Sequence, residues 1–143
     1  MFCVDKANVS DYTQRVNKHK RTKKGAVLFE EAFFKETTYV SSKDTQAEVF
    51  EEVYLDLLNK QLVTEDFLES LLERERNYPT GLDLSPISEI LPDIAIPHTE
   101  SEYVRTTRII PIKLTHEITF HNMISPGDQL SVRFLFMILN ENG

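Results

Sequence analysis

The chain has 143 residues, 41% hydrophobic and 27% charged, the length and composition of one ordinary globular domain. It shows no apolar run near the roughly 18–20 residues of a membrane helix and no signal-peptide pattern, so a cytoplasmic protein is expected. Cys3, the only cysteine, excludes an internal disulfide and a cysteine-based zinc cage, and the net charge of −7 is uneven. Residues 1–26 carry +5 and the remainder −12, so nucleic-acid binding by the acidic body is not expected.

Residues 1–26 are polar, without a sustained period, and read as a solvated extension or linker whose basic stretch is Lys18, Lys20, Arg21, Lys23 and Lys24. Ala26-Val27-Leu28-Phe29 and Tyr39-Val40 read as short strand ends around Phe33 and Phe34. Asp44 or Thr45 then opens a helix, with Thr45 and Glu48 spaced as a capping box. Val49, Phe50, Val53, Tyr54, Leu57 and Leu58 form its apolar face at helical spacing. A second helix is predicted from Thr64, with Glu65 and Asp66 in its first turn, where the macrodipole favours acids. Its stripe is Phe67, Leu68, Leu71 and Leu72, and its exit is basic through Arg74 and Arg76. Pro79 and Gly81 end it, the proline by disfavouring helical geometry at Tyr78 and the glycine by permitting a turn.

Beyond residue 81 the pattern is that of strands. Ile94-Ala95-Ile96 is short and stops at Pro97-His98. Residues 108–114 predict a second strand, at an edge because Pro111 cannot donate to a ladder. Ile118-Thr119-Phe120 predicts its partner across a turn at Thr115-His116-Glu117, and residues 125–128 a loop. Residues 132–139 are almost continuously apolar, as in a strand covered on both faces. Two helices cover only one face, so a partner chain or further residues of a longer protein are expected to supply the other layer.

Of the four histidines, His19 sits in the basic stretch, and His116 and His121 are expected on the surface. No HExxH or comparable set suggests a metal site. His98 differs because a strand and a proline orient its ring at a sheet end. Neutral imidazole is a good nucleophile near pH 7, and its N-phosphorylated form is a good leaving group. A phosphoryl dianion also needs a cation, which Arg74 or Arg76 can supply.

The run from Leu72 to Leu82, with Arg74-Glu75 and Tyr78-Pro79-Thr80-Gly81, is followed by Ile94-Ala95-Ile96-Pro97-His98-Thr99. Together these resemble the fructose/mannitol-type enzyme IIA family of the sugar phosphotransferase system. That family reads Arg-Glu, then Thr-Gly, then Ile-Ala-Ile/Val-Pro-His. Tyr-Pro-Thr-Gly in place of Gly-Ser-Thr-Gly resembles its galactitol-specific branch. The resemblance covers residues 28–143 and implies an α/β fold, a small mixed sheet flanked by helices.

It further implies that His98 is phosphorylated by the carrier HPr, that Arg74 supports the phosphoryl group, and that a IIB cysteine receives it. Arg74 is preferred to Arg76 because it stands in the Arg-Glu pair. No cofactor or metal and no membrane insertion is implied. Many members continue with helices and carry an assisting histidine beyond the strand matching residues 132–139, so the domain at 27–143 is expected to be incomplete at its C-terminus. A phosphorylation-sensing module of a transcriptional regulator, or an inactive fragment, are the alternative readings.

Overall fold

The computed structural model describes residues 32–143; the expected extension at 1–26 and strand piece at 26–29 lie outside them. A 3₁₀ turn at Lys35–Thr37 leads into β1 (Tyr39–Ser41), and two helices follow, α1 (Gln46–Asn59) and α2 (Phe67–Asn77). Then come β2 (Gly81–Leu82), β3 (Asp93–Ala95), a 3₁₀ turn at Ser101–Tyr103, β4 (Arg108–His121) and β5 (Gln129–Leu139). The five strands form one mixed sheet in the order β1-β4-β5-β3-β2. β4 and β5 pair antiparallel, as do β2 and β3, whereas β1 with β4 and β3 with β5 are parallel. This is the α/β architecture expected, a small mixed sheet with two helices.

The first helix starts as its sequence dictates. Thr45 is extended and its hydroxyl accepts the Glu48 N–H at 3.2 Å, while the Glu48 carboxylate accepts the Thr45 hydroxyl at 2.9 Å. Val49, Phe50, Val53 and Leu57 are fully buried, with Tyr54 and Leu58 packed beside them. The second helix begins at Phe67, three residues later than Thr64. Phe67 N donates to Thr64 O across a turn, so the acids at 65 and 66 precede the first helical residue. Phe67 and Leu71 are buried in the same core, and the Tyr54 and Phe67 rings stack with centroids 6.4 Å apart. Each large side chain so buried contributes about 1.5–3 kcal/mol.

The sheet corrects two expectations. Residues 108–121 are one strand, not two across a turn, and both halves pair with β5. Lys113 faces Phe134 and Ile118 faces Val132, so residues 114–117 form a bulge within a continuous ladder. Nor is β4 an edge strand, since it lies between β1 and β5. Ile109 N donates to Ala32 O on the β1 side. By strand alternation the nitrogen of Pro111 faces that side too, where pairing with β1 begins only at Ile112, so the proline costs no ladder bond.

In β5 the two faces are not equally covered, in line with two helices covering one face of the sheet. Val132, Leu135, Met137 and Leu139 are buried in the core, while Phe134, Phe136 and Ile138 are half-buried. The parity changes at Arg133, the extra residue where Asp93 pairs with Val132 and Ile94 with Phe134.

Gly81 does not have the positive φ of a turn glycine. Its role is close approach: it faces Ala95 in the ladder and bridges Asn122, and Met123 N donates to Gly81 O at 2.8 Å. A Cβ here would lie 2.6 Å from the His121 carbonyl oxygen and 3.2 Å from Leu130 Cδ1. Backbone cannot yield as a flexible side chain can, so Gly81→Ala is expected to lose about 1–3 kcal/mol, the range for overpacking a filled interior. A urea titration measures it; a midpoint equal to wild type would show that this crossing relaxes freely.

Candidate active site

β3 delivers the segment that carries His98. Ile96 N donates to Thr80 O at 3.1 Å, and the buried Pro97 gives its carbonyl to Ile138 N at 3.0 Å. His98 thereby bridges Ile138 at the edge of β5. Its Nδ1 lies 2.8 Å from the Ile96 carbonyl oxygen. A carbonyl can only accept, so Nδ1 carries the proton and the Nε2 lone pair is left for chemistry. The ring is half-buried, and among the described residues no hydrogen-bond partner meets Nε2.

The loop that follows is held against the connection between the helices. Thr99 Oγ1 donates to Glu100 O at 3.0 Å, Thr64 N to Tyr103 O at 3.0 Å, and Arg105 N to Leu62 O at 2.9 Å. This places Glu100 beside the last turn of α2, where the Arg74 Nη1 donates to the Glu100 carboxylate. The guanidinium also lies over the Tyr78 ring, 5.4 Å from its centroid, and among the described residues the buried Arg74 Nε has no acceptor. The Glu100 carboxyl is held below its ordinary range, first by its own backbone N–H and then by Arg74.

The two candidate arginines separate. Arg74 lines a cleft of about 360 Å³ with Glu73, Tyr78, Glu100 and Tyr103. Arg76 lines a different hollow, about 940 Å³, with Glu75, His121 and the start of α1. The structure joins Arg74, and not Arg76, to the loop of His98 through Glu100. His116 is exposed, its Nε2 2.8 Å from Asp44 Oδ1, and His121 is exposed with Nδ1 2.8 Å from Pro126 O. Among the described residues no three His, Cys, Asp or Glu side chains are grouped to hold a metal ion.

Sequence reasoning missed the role of Glu75, which it used only to mark the Arg-Glu pair. Its side chain turns inward, 6% exposed, and accepts both the Thr80 N–H at 2.8 Å and the Thr80 hydroxyl at 2.5 Å. These bonds tie the end of α2 to the start of β2, one residue before the strand partner of Ala95. A Glu five residues before the Thr of Pro-Thr-Gly was the available signal. Burial raises the Glu75 carboxyl above its ordinary value, opposed by the Thr80 bonds and by the positive charge that His98 and His121 can carry.

With this geometry established, comparison with known proteins assigns a family. Residues 31–143 match the family model described as "Phosphoenolpyruvate-dependent sugar phosphotransferase system, EIIA 2". The chain belongs to this EIIA family. Among curated proteins, none matches it by sequence. Solved structures share its fold. Crystalline IIA mannitol from Escherichia coli is 20% identical, with a TM-score of 0.56 over 77% of this chain and 74% of that one. The complex of IIA and phosphorylated IIB of the Escherichia coli mannitol system gives 19% identity and 0.57 over 77% and 72%. A Streptococcus mutans protein described as a PTS IIA (PtxA) gives 19% and 0.55 over 76% of this chain, which spans 64% of that chain's length.

The raised Glu75 carboxyl has a sign that can be checked. A raised folded pKa favours the protonated native state, so the stability linked to it is present below the unfolded value of 4.5 and lost as pH rises through the folded value. Glu75→Gln removes this titration and keeps one acceptor for Thr80. The variant is therefore expected to gain stability relative to wild type as pH rises from 4 into the mildly acid range, read from urea midpoints across that range. A wild-type-to-variant difference that does not change with pH would refute it.

Proposed function

We propose that this EIIA-family chain is a phosphoryl carrier that takes phosphate on His98 Nε2. The observation that carries the proposal is the bond between Nδ1 and the Ile96 carbonyl at 2.8 Å, which leaves Nε2 unprotonated on a ring held at the edge of β5. Family membership supports it, as does the identity of the segment itself, Ile94-Ala95-Ile96-Pro97-His98.

The phosphoryl group comes from the phosphohistidine of HPr. The lone pair of Nε2 attacks phosphorus in line, the bond to the donor nitrogen breaks, and the donor imidazole leaves with the electron pair. His98 then acts as the leaving group when a cysteine of a IIB component attacks. The fold shared with a mannitol IIA captured with phosphorylated IIB supports this second transfer. Arg74 is the cation that stabilises charge on the phosphoryl oxygens, and its place beside the His98 loop supports that role over Arg76. The carrier domain is residues 27–143, with 1–26 an extension, and it works in the cytoplasm. Among the described residues no helix is long and apolar enough to cross a membrane. The end product is a phosphorylated sugar or polyol, and Tyr78-Pro79-Thr80-Gly81 supports galactitol as the substrate of the whole system.

Incubation with phosphoenolpyruvate, enzyme I and HPr is expected to give an acid-labile, base-stable phosphoprotein, with no label in His98→Ala. Label that persists in that variant, or that maps to His116 or His121, would sink the assignment. Arg74→Gln is expected to slow transfer from HPr by about 10²–10³-fold, the scale for one positioned charge-stabilising donor. Because Arg74 is 31% exposed and sits at a helix end, the melting midpoint should change little. Unchanged transfer would remove Arg74 from the site.

A further inference from the structure

In the unphosphorylated chain the arginine proposed to support the phosphoryl group is already occupied. Arg74 Nη1 donates to the carboxylate of Glu100, an ion pair between the last turn of α2 and the loop after His98. Glu100 follows His98 by two residues, a span of at most about 7 Å of chain. A carboxylate paired to Arg74 competes with phosphoryl oxygens for the same guanidinium donors, and its charge opposes a dianion. At the same time, among the described residues the guanidinium is otherwise weakly held, with Nε buried and unpaired and one ring contact to Tyr78.

The Glu100 carboxylate, by contrast, is 50% exposed, so water can take over its hydrogen bonds if Arg74 leaves it. Besides Arg74, its own backbone N–H and Ser70 favour its charged form, and neither involves His98. The pair is thus built to hold Arg74 in place and to be broken at little cost.

We propose that Glu100 is a positioning residue that holds Arg74 against the loop after His98 in the resting state and surrenders it to the phosphoryl group, so that this exchange sets the phosphoryl-transfer equilibrium of the chain. The proposal rests on His98 and Arg74 having the roles assigned above. No atom is transferred in the exchange. The bond from the donor phosphohistidine to phosphorus breaks as that from His98 Nε2 forms, the donor imidazole keeps the electron pair, and the Nδ1 proton stays against Ile96 O. Arg74 meanwhile moves from one anion to another, so the carboxylate lowers the gain from the phosphoryl contact by the strength of the pair it gives up.

The test is the ratio of phosphorylated to unphosphorylated chain at equilibrium with a fixed ratio of phospho-HPr to HPr. Glu100→Gln is expected to raise that ratio about two- to five-fold, the range for a half-exposed ion pair. Glu100→Asp, which keeps the charge, should restore the wild-type ratio in part. In an Arg74→Gln background Glu100→Gln should give no increase, because the pair no longer exists. An unchanged ratio in Glu100→Gln overturns the exchange, and so does an equal or larger increase without Arg74, which would mean direct repulsion of the phosphoryl group. Transfer that survives His98→Ala would instead overturn the assignment of the site on which the exchange rests. Melting midpoints within the wild-type range for both Glu100 variants exclude a folding defect as the cause of any shift.

Discussion

The position of His98 depends on one backbone hydrogen bond, from Ile138 N to Pro97 O. β3 is only three residues long and could not by itself aim a side chain with any accuracy. Its parallel ladder to β5 ends at Ala95 and is taken up again at the His98–Ile138 bridge, so the strand end is pinned on both sides of the proline. β5 in turn is held along nearly its whole length by β4. A short functional segment is therefore rigid because the longest antiparallel pair of the sheet lies beside it.

The same economy governs the electrostatics. The described body is strongly acidic, so the placement of its few cations governs the local field. The Arg-Glu pair at the end of α2 divides the work by helical geometry. Adjacent residues on a helix point about 100° apart, so Arg74 reaches the loop after His98 while Glu75 turns into the interior. Glu75 is tolerated there because Thr80 meets it with two donors. The motif is thus one electrostatic element and one structural element side by side.

A second buried polar seam joins α1 to β1. Ser41 donates to Glu52 at 2.7 Å, and the Tyr39 hydroxyl donates to Asp56, which also receives Lys60. Burial, reinforced by Asp56, keeps the Tyr39 phenol protonated far above its usual value. Among the described residues Glu52 Oε2 has no partner, a local cost of about 1–3 kcal/mol for an unmet buried acceptor. Such a seam fixes the register of the first helix on the edge strand, which a purely apolar contact of this size would leave free to slide.

What the sequence determined by itself was local. The capping box at Thr45, the apolar stripes of both helices, the stop near Tyr78 and the strand before Pro97 are written in nearest-neighbour chemistry and in periods of 3.6 and 2. His98 stood out for the same reason, since a strand and a proline restrict it locally. Tertiary structure decided whatever depended on residues far apart in the chain. The bulge at 114–117 looked like a turn because polar residues interrupt an apolar run, and only pairing of both halves with β5 makes it one strand. Pro111 looked like an edge marker, yet it sits inside the sheet where no donor was needed. Gly81 looked like a turn residue, but it is small because the His121 backbone passes against it. Glu75 and Glu100 were invisible as functional groups, because their meaning lies in Thr80 and Arg74, partners that no sequence period links to them.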